Sequence, residues 1–96
     1  MRIEVSGSPA LHVERLRAYA EYRVFSQLAA FAHEVRTVRV VLSQSTDDRP
    51  TSCVMSAELR HGGRIRARSR GRQAIRAVDA AATKLADATR EQVSAP

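Results

Sequence analysis

The chain has few of the residues that build disulfide frameworks, base-stacking surfaces or membrane spans. Its 96 residues include one cysteine, no tryptophan, two tyrosines and two phenylalanines. A single cysteine excludes an internal disulfide framework. No stretch approaches the roughly 20 apolar residues that a membrane-spanning helix requires. Residues 2–6 alternate as in a strand and do not form the apolar core of a secretory signal. We therefore expect a soluble, cytoplasmic protein.

The length allows one hydrophobic core, because a chain of this size buries roughly two-thirds of its unfolded surface. We expect a single domain over residues 1–92, followed by a short disordered tail at residues 93–96. The net charge of +6 and the sequence pI near 11.0 favour a polyanionic partner.

The sequence contains no recognisable catalytic or metal-binding pattern. His12, His33 and His61 are far apart and have no cysteine or carboxylate at a metal-ligand spacing. Asp47 and Asp48 lie in a polar segment, where adjacent carboxylates usually serve solubility. Phosphate-cradling glycine motifs are also missing. We predict no enzymatic activity, no metal and no cofactor.

The hydrophobic pattern predicts the order β-α-β-β-β-α. Alternating residues indicate strands, and apolar residues at three- and four-residue steps indicate helices. We expect an α+β domain with two helices on one face of a four-stranded sheet, resembling a double-stranded RNA-binding domain. The first helix begins either at the Ser8-Pro9 pair or near Val13. The predicted strands are residues 2–6, 37–43, 53–60 and 64–70, separated by a loop at 44–52, and the second helix ends near residue 92.

Periodicity also predicts which side chains face the core. Each helix has one apolar stripe, and Phe25 widens the first of them. Cys53 alternates with apolar residues and is predicted to be a buried strand residue. A three-residue turn at residues 61–63, with a left-handed glycine, keeps Leu59 and Ile65 on the inner face. The predicted inward helix residues are Leu16, Tyr19, Ala20, Val24, Leu28 and Phe31 in the first helix, and Ile75, Val78, Ala82 and Leu85 in the second.

Arginine is concentrated in one segment. Seven arginines and no carboxylate occur in the seventeen residues from Arg60 to Arg76. In the predicted fourth strand, arginine occupies every second position, so one strand face is entirely cationic. We call this set the arginine ladder: Arg64, Arg66, Arg68 and Arg70.

A polyanion is the natural partner of such a ladder, because the planar guanidinium matches phosphate well. All four aromatic residues lie in the first helix, so the predicted sheet offers none for base stacking. We therefore predict recognition of a nucleic-acid backbone. Tyr22, beside Arg23, is predicted to be exposed.

Several motifs, taken in order, resemble the ribosome hibernation promoting factor family in its short form, also described as ribosome-associated inhibitors or sigma-54 modulation proteins. A strand ending in Gly7 is followed nine positions later by a leucine-arginine-any-tyrosine pattern. The second and third strands and the spacing of the last helix are also similar. The segments are Leu16-Arg17-Ala18-Tyr19, residues 37–43, residues 53–59, Ala77-Val78-Asp79 and Lys84-Leu85.

This resemblance implies the β-α-β-β-β-α fold and no enzymatic activity. It implies binding to the small ribosomal subunit and its 16S rRNA, in the channel between head and body. There such a factor blocks messenger and transfer RNA sites during the stress response of resting cells. We expect a monomer on the ribosome. The resemblance is to the short form, without the carboxyl-terminal dimerisation domain of the long form, so we do not expect ribosome pairing by this chain alone.

The chain departs from the family pattern around its last helix. Acidic residues usually precede this helix, whereas Arg70-Gly71-Arg72-Gln73 stands here. The resemblance implies RNA contacts largely through basic residues on and around the helices. Compared with that pattern, this chain carries more of its positive charge on the fourth strand. We predict a central RNA-binding set and a secondary set. The central set is Arg64, Arg66, Arg68, Arg70, Arg72 and Arg76, and the secondary set is Arg23, Arg39, Lys84 and Arg90.

Two alternatives remain open at the level of the sequence. One is a general double-stranded RNA-binding module, because two helices on a small sheet can span grooves by shape. The other is a protein-interaction subunit that dimerises through a sheet edge, with the arginines serving solubility.

Overall fold

The predicted order of elements is confirmed in a computed structural model, which describes residues 1–8, 11, 13–44 and 49–94. Two α-helices and four strands are present, and the first helix ends in a 3-10 turn at Ala29–Phe31. The elements are β1 (Arg2–Gly7), α1 (Val13–Leu28), β2 (Val35–Ser43), β3 (Thr51–Leu59), β4 (Arg64–Gly71) and α2 (Ala74–Ser94).

The strands form one mixed sheet in the order β1-β2-β3-β4. β1 and β2 run parallel because α1 carries the chain back across the sheet between them. The β2–β3 and β3–β4 pairs are antiparallel. β1 and β4 are therefore the two edge strands.

Both helices contribute to a core on one face of the sheet. Inward side chains alternate along every strand, and α2 adds a stripe of small and branched residues. Leu28, Leu42, Met55 and Leu85 are among the largest fully buried side chains. The opposite face carries no helix, and we call it the open face.

Gly7 lies where β1 ends against β2. A Cβ atom at this position would lie 2.6 Å from the Leu42 carbonyl oxygen and 2.9 Å from a methyl carbon of Val13. Only glycine allows this approach without a shift of the backbone, so the parallel pairing and the start of α1 both depend on it.

The β3–β4 hairpin turns through two glycines with left-handed backbone, Gly62 (φ 88°) and Gly63 (φ 100°). The Leu59 N–H donates to the Gly63 carbonyl oxygen at 3.1 Å. The three-residue loop is therefore residues 60–62, one position earlier than predicted. Ala57 pairs with Ile65, and the inward placement of Leu59 and Ile65 is confirmed.

The prediction of a core position is wrong for two residues. Phe25 is 57% exposed and Ile75 is 47% exposed. Phe25 directly follows buried Val24 and lies about 100° further round the helix, outside the covered arc. Ile75 lies in the first turn of α2, before the part of the helix that the sheet covers. Periodicity in the sequence does not show at which turn that cover begins.

Several boundaries also differ from the sequence prediction. β2 and β3 each begin two residues earlier than predicted, and α2 extends to Ser94. α1 begins at Val13, so the later of its two proposed starts is confirmed. The described residues do not include Pro9, Ala10, His12, residues 45–48 with Asp47 and Asp48, or residues 95–96.

Cys53 is fully buried in β3, as predicted. Burial raises the pKa of its thiol to about 12, so the thiol stays protonated at neutral pH. Within the described part of the chain, no helix combines the length and the apolar character needed to cross a bilayer.

α1 and α2 are joined by a polar cluster at the edge of their interface. The Tyr19 hydroxyl donates to Oδ1 of Asp79 at 2.6 Å. Arg23 Nε lies 2.9 Å from the same oxygen, an ion-pair contact that lacks hydrogen-bond geometry. The hydrogen bond to Asp79 and partial burial raise the pKa of Tyr19. One carboxylate of α2 thus holds two side chains of α1.

We expect Tyr19→Phe to destabilise the domain by about 1 kcal/mol, because the substitution removes a hydrogen bond to a partly exposed carboxylate. In a domain of this size, that change lowers the melting temperature by about 4–8 °C. Tyr22→Phe is the matched control, since Tyr22 is 64% exposed on the same helix. Equal melting temperatures for the two variants would show that the cluster contributes nothing to stability.

Candidate nucleic-acid interface

The arginine ladder lies on the open face, at the edge of the sheet. The alternation of β4 turns its four arginines to solvent, and Ile65, Ala67 and Ser69 pack inward at 9%, 7% and 8% exposure. Successive ladder residues are about 7 Å apart along the strand. Because β4 is an edge strand, one side of the ladder has no neighbouring strand.

The register of the sheet places other charged side chains beside the ladder. Across the open face, Arg66 is followed by Ser56, Arg39 and Glu4 in successive strands. The neighbouring row runs from Arg64 through Glu58 and Thr37 to Arg2. A third row joins Arg68, Val54, Val41 and Ser6.

Positive charge dominates this face. Its described strand residues include six arginines and two glutamates, and the arginines are the ladder residues with Arg2 and Arg39. The two helices carry a more balanced set, with six basic and five acidic residues. The sheet side of the domain is therefore the side that attracts a polyanion.

The two glutamates neutralise the periphery of the open face. Glu4 lies between Arg2, at 3.2 Å, and Arg39, at 3.3 Å. Glu58 is 3.8 Å from Arg36, the extra residue at the β2 bulge. Among the described residues, Arg66 and Arg68 form no ion pair. These two arginines are consequently free to bind an external anion.

A shallow groove of about 460 Å³ separates the ladder from Arg39. Its floor consists of small side chains on β2 and β3, including Val41, Val54 and Ser56. Arg64, Arg66 and Arg68 form one wall. The groove is open and has charged side chains on both sides of an uncharged floor, as expected for contact with a charged chain rather than for enclosure of a small ligand.

The remaining central candidates lie past the end of β4. Arg72 lies in the connection to α2, and Arg76 lies in the first turn of that helix; both are exposed. They follow Arg70 in the chain, and Arg76 belongs to a helix that covers the face of the sheet opposite the ladder.

The secondary candidates are mostly held by contacts within the protein. Arg23 is paired with Asp79 and Arg39 with Glu4. Lys84 Nζ donates to the Arg68 carbonyl oxygen at 3.1 Å. Arg90 donates to Asp87 Oδ1 at 3.1 Å and lies 5.9 Å from the centre of the Phe31 ring. These four residues thus differ from Arg66 and Arg68, which form no ion pair in the part of the chain that the structure describes.

Other polar residues contribute no site. Tyr22 is exposed on α1, as predicted, and lies on the helical side of the domain. His33 and His61 are exposed and far apart in the chain. Among the described residues, no three His, Cys, Asp or Glu side chains are grouped so as to hold a metal ion.

Sequence reasoning missed Arg2 and the two glutamates of the open face. Alternation in β1 and β3 predicts that the side chains of Arg2, Glu4 and Glu58 lie on the outward face of their strands, with the other polar residues. Their position relative to the ladder depends on the pairing of three strands, which the sequence does not specify.

Two solved structures share this architecture. The N-terminal domain of Thermus thermophilus Protein Y superimposes with a TM-score of 0.80 at 21% identity, over 96% of this chain and 99% of that chain. The chain has the fold of this domain. A ribosomal subunit interface protein from Coxiella burnetii matches with a TM-score of 0.78 at 18% identity, over 99% of this chain and 100% of that chain. No protein-family model and no curated protein matches the sequence.

These likenesses confirm the predicted α+β fold, with four strands and two helices on one face. They also agree with the resemblance drawn from the sequence motifs, because both neighbours have the architecture that it implied.

We expect the double variant Arg66→Gln/Arg68→Gln to melt at the same temperature as the unsubstituted protein or slightly higher. Both side chains are exposed, so the substitutions open no cavity and relieve repulsion within the ladder. Ile65→Ala is the contrasting control, because its inward side chain is buried. That variant should lose about 2 kcal/mol or more. Destabilisation of the double variant to the same extent would show that the ladder has a structural role.

Proposed function

We propose that the protein is a non-enzymatic, ribosome-associated factor of the hibernation type. It binds the small subunit through 16S rRNA and blocks messenger and transfer RNA sites in resting cells. The observation that carries this proposal is the arginine ladder on the open face of a fold shared with a ribosomal subunit interface protein, because Arg66 and Arg68 form no ion pair with any described residue. The cytoplasm, where ribosomes lie, is the corresponding location.

The ladder supplies the affinity in this proposal. Guanidinium groups donate paired hydrogen bonds to phosphate oxygens, and these bonds are stronger than those between neutral groups. Arg66 and Arg68 need not break an internal ion pair in order to bind. Phosphate contacts fix the position of a protein on RNA without reading its sequence.

Inhibition follows from occupancy and requires no chemical step. A domain seated in the messenger and transfer RNA sites excludes both ligands by volume. The protonated Cys53 thiol is buried beneath the sheet and takes no part in binding. We expect the protein to act as a monomer on the ribosome.

The structure gives less support to dimerisation through the sheet edge. At the edge strand β4, the Arg68 carbonyl oxygen already accepts a hydrogen bond from Lys84 Nζ. The ladder also places like charges along the same strand. Charged side chains of this kind discourage the pairing of edge strands. The double-stranded RNA module remains a rival, which the experiment below tests.

We expect Arg66→Gln/Arg68→Gln to weaken ribosome binding by at least ~10-fold, about 1.4 kcal/mol. Ribosome pelleting with increasing protein concentration measures this change, and inhibition of translation in a cell-free extract should fall in parallel. Free duplex RNA in the same assay should compete weakly with the ribosome. Equal affinity for duplex RNA and for ribosomes would favour the general duplex-binding module instead.

Two matched controls remove the same charge from the helices. Arg15→Gln/Arg17→Gln changes exposed residues of α1, and this variant should bind normally. Lys84→Gln/Arg90→Gln tests the helical contact that the family pattern implies. If only the Lys84/Arg90 variant loses affinity, the helical side carries the contact and the proposed role of the ladder is wrong.

Binding should also be sensitive to salt. If about five phosphates are neutralised, the logarithm of the affinity falls against the logarithm of the salt concentration with a slope of roughly −3.5 to −4.5. Repeating the pelleting assay between low and physiological salt measures this slope. A slope near zero would contradict an electrostatic mode of binding.

A further inference from the structure

We propose that the groove on the open face takes one extended RNA strand, which lies along β4 and is held by its sugar-phosphate backbone. This inference rests on the proposed function and names the form of RNA that the site binds. It is drawn from the dimensions of the groove, its lining and the distribution of charge across the three rows of the sheet.

The groove has the size of a single strand. From Arg64 to Arg68 the wall of the groove extends about 13 Å, and two strand spacings of about 4.8 Å separate β4 from β2. Three regularly spaced guanidiniums along one strand can follow one backbone. Recognition of a duplex requires contacts over roughly 16 base pairs and across two minor grooves, which a line of this length does not provide.

The lining of the groove suits a backbone and not the faces of bases. Proteins that bind bases on a sheet stack them on aromatic side chains, whereas Val41, Val54 and Ser56 form this floor. Hydroxyl groups on the same face can hydrogen-bond to phosphate and sugar oxygens, and Ser56 and Ser52 lie directly beside Arg66 and Arg70. The hydroxyl residues of the open face are Ser6, Thr37, Ser43, Ser52 and Ser56.

The cross-strand neighbours of each ladder arginine indicate that phosphates bind at the middle of the ladder. Arg64 lies opposite Glu58, whose carboxylate repels a phosphate at that end. Arg66 and Arg68 lie opposite Ser56 and Val54, which carry no charge. We therefore assign the phosphate contacts of the groove to Arg66 and Arg68 and a minor contribution to Arg64.

The test compares single-stranded and duplex RNA by fluorescence anisotropy at low salt. Oligonucleotides of about 12 nucleotides lie within the roughly 4–16 nucleotides that single-strand-binding folds cover. We expect oligouridylate and a mixed-sequence strand to bind with similar affinity, and both at least ~10-fold more tightly than the duplex of that mixed sequence with its complement. With two or three phosphates bound, the salt slope is about −1.5 to −2.

Variants of the same face locate the contact. Arg66→Gln/Arg68→Gln should weaken single-strand binding by at least ~10-fold, whereas Arg2→Gln/Arg36→Gln should change it by less than ~3-fold, since both of its arginines are ion-paired with glutamates and neither lines the groove. The two double variants remove equal charge, so a non-specific loss of charge would weaken both alike. Equal losses would overturn the assignment.

Other outcomes separate this inference from the proposed function. Duplex RNA bound as tightly as the single strand, or no binding of either oligonucleotide, overturns the inference. If ribosome pelleting persists in those cases, the proposed function stands. Single-strand binding that is retained when the ribosome is not bound supports the groove assignment and removes the ribosome as its target.

Discussion

The structure depends on one constraint, which is that two helices cover a single face of a four-stranded sheet. Every strand must then separate its side chains, with apolar residues toward the helices and polar residues toward the open face. In β4 the outward positions before Gly71 are all arginine. The candidate interface is therefore a consequence of the packing, because the residues that cannot enter the core are the ones exposed on the open face.

The same constraint assigns the core contacts of β4 and its charge to different side chains. Ile65, Ala67 and Ser69 hold β4 to the core, and the arginines between them contribute charge without packing. At the opposite side of the core, Asp79 joins the two helices through Tyr19 and Arg23. Arg23 thus acts in the scaffold, although its charge and position in the sequence suggested a contact with RNA.

The two acidic residues of the open face lie away from the centre of the ladder. Glu4 is shared by Arg2 and Arg39, and Glu58 faces Arg64 near the hairpin. Glu4 and Glu58 hold Arg2, Arg39 and Arg36 in ion pairs, which are weak at exposed sites, whereas Arg66 and Arg68 form none with the described residues. This arrangement concentrates the available positive charge along one line of the sheet.

The sequence by itself determined the order of the elements, the inward residues of each strand and the cationic face of β4, because alternation and helical periodicity are local properties. It did not determine which flank of a helix lies beyond the sheet, as the exposure of Phe25 and Ile75 shows. The tertiary structure decided the pairing of Arg39 with Glu4, the position of Glu58 opposite Arg64 and the contact of Lys84 with β4. These relations depend on strand order and register, which join residues far apart in the chain and have no local signal.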